Sequence, residues 1–118
     1  MLDKQFADEF RQDWIAAWNR HDLERIVAHY SDDIEMRSPL IAQVTGEQSG
    51  RLKGKTAVTA YWKRALALVP DLCFRFKTCF IGVDSIVIHY ETSLGRQAAE
   101  TFFFNTQKLV SCASAHYA

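Results

Sequence analysis

Trp14-Ile15-Ala16-Ala17-Trp18-Asn19-Arg20-His21-Asp22-Leu23, leading into His29-Tyr30-Ser31-Asp32-Asp33-Ile34-Glu35-Met36, is the stretch that decides the fold. Phe6, Phe10, Trp14 and Trp18 recur every four residues, which places them on one face of a helix from about Asp3 to Arg20. Asp22 is a good N-cap for a second helix, in which Leu23, Ile26, Val27 and Tyr30 keep the i, i+3, i+4, i+7 spacing. Ser31-Asp32-Asp33 reads as an acidic turn that breaks it. Ile34 to Ser38 then alternates, with Ile34, Met36 and Ser38 on one side of a short strand and two charges on the other.

Further along, Pro39 to Gly54 carries three glycines among mixed polar residues and reads as a loop, with room for a short strand around Ile41 to Val44. Lys55 to Leu68 has the cleanest helical pattern: Val58, Tyr61, Trp62, Ala65, Leu66 and Val69 line one face, and Pro70 stops it. After Pro70 the period changes to two. Leu72 to Ile81, Ser85 to Ser93, Gln97 to Asn105 and Leu109 to Tyr117 read as strands joined by tight connections, which force antiparallel neighbours. Helices first and a meander of strands afterwards predict an α+β domain with helices on one face of a curved, mostly antiparallel sheet. Residues 1–118 read as one domain, with no repeat, linker or low-complexity segment.

The balance of charge narrows the function. Fourteen basic and fourteen acidic residues give a formal net charge of zero, and no basic run offers a phosphate-neutralising surface, so nucleic acid is not an expected partner. No apolar stretch approaches the roughly 20 residues that span a bilayer, so no membrane association is expected. The opening Met1-Leu2-Asp3-Lys4-Gln5-Phe6 has no secretory pattern, and Cys73, Cys79 and Cys112 form an odd, unmotived set. Reduced thiols acting as small hydrophobes within strands, in a cytoplasmic protein, are the expectation. His21, His29, His89 and His116 lack any metal-ligand spacing, so no metal and no cofactor is expected.

Trp14 to Asp22, Tyr30-Ser31-Asp32-Asp33, Gly54-Lys55-Thr56-Ala57, Ala98-Ala99-Glu100-Thr101-Phe102-Phe103-Phe104 and the closing Ala115-His116-Tyr117 together resemble the SnoaL-like branch of the nuclear transport factor 2-like superfamily. The order of these segments carries the resemblance over nearly the whole chain. It implies a cone-shaped barrel, a cavity between three N-terminal helices and the sheet (the cystatin-like arrangement), and commonly a homodimer through the outer sheet face. It does not imply one reaction, because the superfamily includes isomerases, polyketide cyclases, dehydratases, epoxide hydrolases and binding domains.

Strand alternation selects the residues that face such a cavity. Ala98, Glu100, Phe102 and Phe104 share a side of one strand, which isolates Glu100 among alanines and phenylalanines. A buried carboxylate must be neutral, partnered or hydrated, so Glu100 is the candidate acid or base. By the same alternation Ile86, Ile88, Tyr90, Ala113, Ala115 and Tyr117 face inward, with His89, Val110, Cys112, Ser114 and His116 outward. Similarity to the ketosteroid isomerases implies that Glu100 stands where those enzymes keep a protonated aspartic acid. Ser38 replaces their proton-moving aspartate, Trp14 their oxyanion tyrosine and Trp62 a supporting tyrosine. A serine without a base cannot abstract that proton, and an indole donates but does not titrate, so ketosteroid isomerisation itself is not expected.

The expectation is therefore a small apolar, cyclic ligand in a pocket formed by Trp14, Met36, Ser38, Trp62, Tyr90, Phe102 and Tyr117, with Glu100 anchoring it. The chemistry would be isomerisation, cyclisation, dehydration or hydrolysis. The contrasting expectation is a non-catalytic ligand-binding or dimerisation domain, with Thr101, Phe103, His89 and His116 in an interface. Trp18 and Tyr61 are expected in the core, Asp32 and Asp33 as turn formers.

Overall fold

The computed structural model describes residues 1–118, and its elements follow the expected order with a few instructive departures. Helix α1 spans Lys4–Asn19, and the Asp3 carboxylate accepts from Phe6 N at 2.8 Å to satisfy its first turn. Ala7, Phe10, Trp14, Ala17 and Trp18 form its buried stripe. Helix α2, Leu23–Val27, is capped by Asp22 but is shorter than its apolar spacing suggests. Tyr30, expected on that helix, instead opens strand β1, Tyr30–Arg37.

The acidic segment expected as a turn lies inside β1. Ser31 Oγ donates to Asp33 Oδ1 at 2.6 Å, and the register breaks there between Tyr30 and Glu35, so the local turn chemistry is absorbed as an irregularity in the strand. The expected loop after Pro39 contains a fourth helix in place of a strand: α3, Pro39–Thr45. Ser38 caps it by accepting from Leu40 N at 3.1 Å, Pro39 sits in its first turn, and Gly46 ends it at φ 83°, a conformation that favours glycine. Strand β2, Arg51–Lys53, follows, and then α4 at Lys55–Leu68, the span that the sequence predicts.

Strands β3 (Arg75–Ile81), β4 (Ser85–Glu91), β5 (Gln97–Phe104) and β6 (Val110–Tyr117) form the antiparallel meander. The sheet order is β2-β1-β6-β5-β4-β3, with β1 parallel to β6 and every other pair antiparallel. Helix α1 packs against β3, and α4 against β1 and β2, so one sheet face is roofed and the whole is an open cone. No helix is long and apolar enough to cross a membrane. Residues 72–74 precede β3 as coil, so Cys73 is exposed outside any strand, while Cys79 and Cys112 lie in strands as expected.

Alternation holds along β4 and β5: Ile86, Ile88, Tyr90, Ala98, Glu100, Phe102 and Phe104 are all buried, and His89 lies on the opposite face, paired with Gln97 at 2.7 Å. Val110 departs from its outward expectation and is fully buried. The β5–β6 register skips from Phe103↔Cys112 to Phe104↔Val110, so one extra residue, Ser111, shifts Val110 to the inner face.

Candidate active site

The core is packed solid at one end and hollow at the other. At the solid end Phe10 stands edge-on to Phe102 and Phe104, with ring centroids 5.0 and 4.9 Å apart, and Phe6 meets Phe104 at 5.1 Å. At the other end, between α1, α3, α4 and the inner sheet face, lies a cavity of about 350 Å³. Trp14, Met36, Trp62, Tyr90 and Glu100 form its buried interior. Leu40, Gln43, Val69, Leu94 and Arg96 stand around its mouth.

Glu100 is only 5 % exposed, and Tyr90 Oη donates to its Oε1 at 3.1 Å. Burial raises the carboxyl from 4.5 to about 7, and the Tyr90 hydrogen bond pulls it back only in part. Tyr90 is itself driven well above the usual phenol value, by burial first and by the charge on Glu100 second. Tyr117 is pushed up to about 12 by burial and Glu100, with Ser38 and Tyr90 tempering the rise. Tyr61 is also raised, by burial first and then by Tyr117, with Ser38 tempering the rise. Thus one acid that can change charge near neutrality sits among phenols that hold their protons. Such a group can both take and return a proton, while its neighbours donate hydrogen bonds throughout.

Helix capping positions part of this cluster. Ser38 faces the cavity as the one residue between β1 and α3, where it caps the helix. Trp14 is fixed by its own indole: Nε1 donates to Tyr30 Oη at 2.9 Å, and the ring lies stacked on Phe74 at 5.6 Å. The Trp14 N–H is therefore committed to the protein, leaving its ring as a wall. Asn19, just past the α1 stripe, clamps Phe74 in both directions, donating to its O at 2.9 Å and accepting from its N at 2.6 Å. His21 reaches Leu72 O at 2.9 Å, and together these contacts lay Leu72 and Phe74 along the cavity. The Trp18 N–H is buried without a protein acceptor.

Of the expected pocket residues, Trp14, Met36, Ser38, Trp62, Tyr90, Tyr117 and Glu100 line the cavity together. Phe102 does not: it is fully buried in the solid end against Phe10 and Trp14, because alternation gives the face of a strand but not the depth along it. Trp18 and Tyr61, expected in the core, are buried and also line the cavity. Arg96 lines the cavity, and Tyr30 stands behind it holding Trp14; neither was expected at the site. Arg96 carried a readable signal, since it shares the parity of Ala98 and Glu100; Tyr30 fitted a helical pattern that continued past the real helix end. No three His, Cys, Asp or Glu side chains converge as a metal site would require.

Comparison with known proteins assigns this open cone to a family. The SnoaL-like domain profile matches residues 12–108, and the chain belongs to that family. A SnoaL-like protein of unknown function from Burkholderia thailandensis is 50% identical, with a TM-score of 0.94 over 98% of this chain and 97% of that one. An inferred SnoaL-like polyketide cyclase from Shewanella denitrificans is 12% identical, with a TM-score of 0.75 over 96% and 90% of the two chains, and shares the fold. So does TerC, co-crystallized with polyporic acid, at 11% identity and a TM-score of 0.77 over 95% and 91%. No curated protein matches the chain.

Proposed function

We propose that this chain binds an apolar, cyclic small molecule in its cavity and moves a proton on it through Glu100. The observation that carries the reading is a lone buried carboxyl, raised to about 7, at the inner end of a cavity of about 350 Å³ with a phenol 3.1 Å away. A cavity of roughly 150 Å³ accepts one benzene ring, so this one suits two fused rings or one ring with short substituents. Near neutral pH Glu100 exists in both forms. Its carboxylate would take a proton from carbon beside a carbonyl, and its acid form would return it, while the Tyr117 phenol donates to the substrate oxygen. Isomerisation, cyclisation and dehydration all contain such a step. That a structural neighbour was co-crystallized with polyporic acid agrees with a cyclic ligand in this fold.

The test follows α-proton exchange of 2-tetralone, a bicyclic ketone, into D2O by proton NMR. Wild type should accelerate exchange over buffer, and Glu100→Gln should lose about 10²- to 10⁴-fold of that acceleration with its fold intact. No acceleration by wild type, or equal rates for the two proteins, would refute the role of Glu100.

Homodimerisation through the outer sheet face is a separate and compatible proposal. Phe80 is 61% and Phe103 42% exposed, and Phe80 pairs across the strands with Val87, on the face opposite the cavity. Phe103→Lys should turn a dimer into a monomer in sedimentation equilibrium; an unchanged mass would reject that face.

A further inference from the structure

We infer that the ligand is an aromatic or alicyclic acid, its ring filling the cavity and its carboxylate held at the mouth by Arg96. The inference rests on the cavity reading above and adds a substrate class to it. Thr92 N donates to Arg96 O at 2.8 Å, continuing the ladder one pair beyond Glu91↔Gln97. A strand period of two then gives Arg96 the same face as Ala98 and Glu100. Arg96 is the only cation among the cavity-lining side chains, as Glu100 is the only acid.

The remaining contacts of Arg96 engage only one of its three nitrogens. Its guanidinium carbon lies 4.9 Å from the centre of the Tyr117 ring, and Nε donates to Ala118 O at 3.3 Å. No Asp or Glu carboxylate is within ion-pair distance of it; Arg20, Arg51 and Arg64 are unpaired too, but only Arg96 lines the cavity. The Tyr117 face and the Ala118 oxygen hold the guanidinium over the opening with its two terminal nitrogens outward, which lowers the ordering cost of a bidentate contact. Thr92 and Ser93 bring hydroxyls to the same rim.

Charge and distance agree with this polarity. Four residues of strand separate Arg96 from Glu100, about 13 Å between their Cα atoms. An anion at the mouth stays partly hydrated and away from Glu100, so it escapes both the desolvation cost and the repulsion that it would meet inside. The apolar walls contributed by Trp14, Trp18, Trp62 and Phe74 accommodate the ring between these two ends.

The experiment compares 2-naphthoate with its neutral isostere 2-naphthamide by isothermal titration calorimetry, on wild type and Arg96→Gln. Wild type should bind the acid about tenfold more tightly than the amide, and the variant should bring that ratio close to one. Added salt should shrink the wild-type ratio as well. Equal affinities in wild type, or a ratio that survives in Arg96→Gln whatever the absolute affinities, overturns the inference and leaves the cavity reading standing. If wild type binds neither compound, both fall.

Discussion

Strand β5 builds two opposite interiors within eight residues. Its Phe102 and Phe104 meet the phenylalanines of α1 and close one end of the cone; its Ala98 and Glu100 leave the other end open. On the neighbouring strand Ala115, the cross-strand partner of Glu100, continues the pattern of small inner-face residues. Both ends obey the same alternation and the same burial, so a burial profile does not distinguish them. Side-chain volume does. The solid end contributes to stability through close packing, and the hollow end gives up some of that packing to keep a space.

The comparison predicts unequal responses to changes of volume. Phe102→Ala should cost about 3–5 kcal/mol in urea denaturation, since it opens a void among rings that cannot collapse, yet it leaves the cavity lining in place. Ala65→Phe, on the α4 wall of the cavity, should cost less than about 1 kcal/mol because its ring enters empty space, and should block naphthalene-sized ligands in the same calorimetric titration. Equal stability costs would mean that the two ends are packed alike.

Glu100 makes the hollow end sensitive to pH in a way that the solid end is not. Below its ordinary value of 4.5 the carboxyl is protonated in both folded and unfolded chains. From there to about 7 the unfolded chain loses its proton and the folded one keeps it, so folding stability falls as pH rises. Above about 7 the whole cost, about 3 kcal/mol, is in place. His29 acts in the other direction. Burial lowers its pKa despite Asp13, so its contribution is complete above 6.5 and is lost as pH falls through its folded value. Subtracting the stability of Glu100→Gln from that of wild type at each pH isolates the Glu100 slope, which should be downward between those limits and flat above them.

Much of this architecture was legible because apolar spacing is a local property. The aromatic stripe of α1, the span of α4 and the inward set of β4 and β5 need only a period and a cap. Where local signals competed, the reading failed. Tyr30 fitted the α2 spacing but is taken by β1, whose pairing with β6 lies 80 residues away in sequence at Tyr30↔Val110. Ser38, Pro39 and Gly46 formed a start and stop for α3, hidden by two further glycines that suggested a loop. The extra residue that turns Val110 inward leaves no mark on the sequence at all.

The lining of the cavity was legible to the same degree and for the same reasons. Parity put Glu100, Tyr90 and Tyr117 on one face, and they line one cavity. Depth was out of reach, because it depends on which helix residue stands opposite, and so Phe102 was grouped with the pocket. Trp18 and Tyr61 illustrate a related limit: a buried aromatic belongs to core and cavity wall at once.

The most direct test is the titration of Glu100 itself, followed through its side-chain carboxyl by carbon-13 NMR and assigned with Glu100→Gln. A single midpoint close to 7 would support an isolated acid at the inner end of an aromatic space. A midpoint near 4.5, the value of an exposed glutamate, would contradict it.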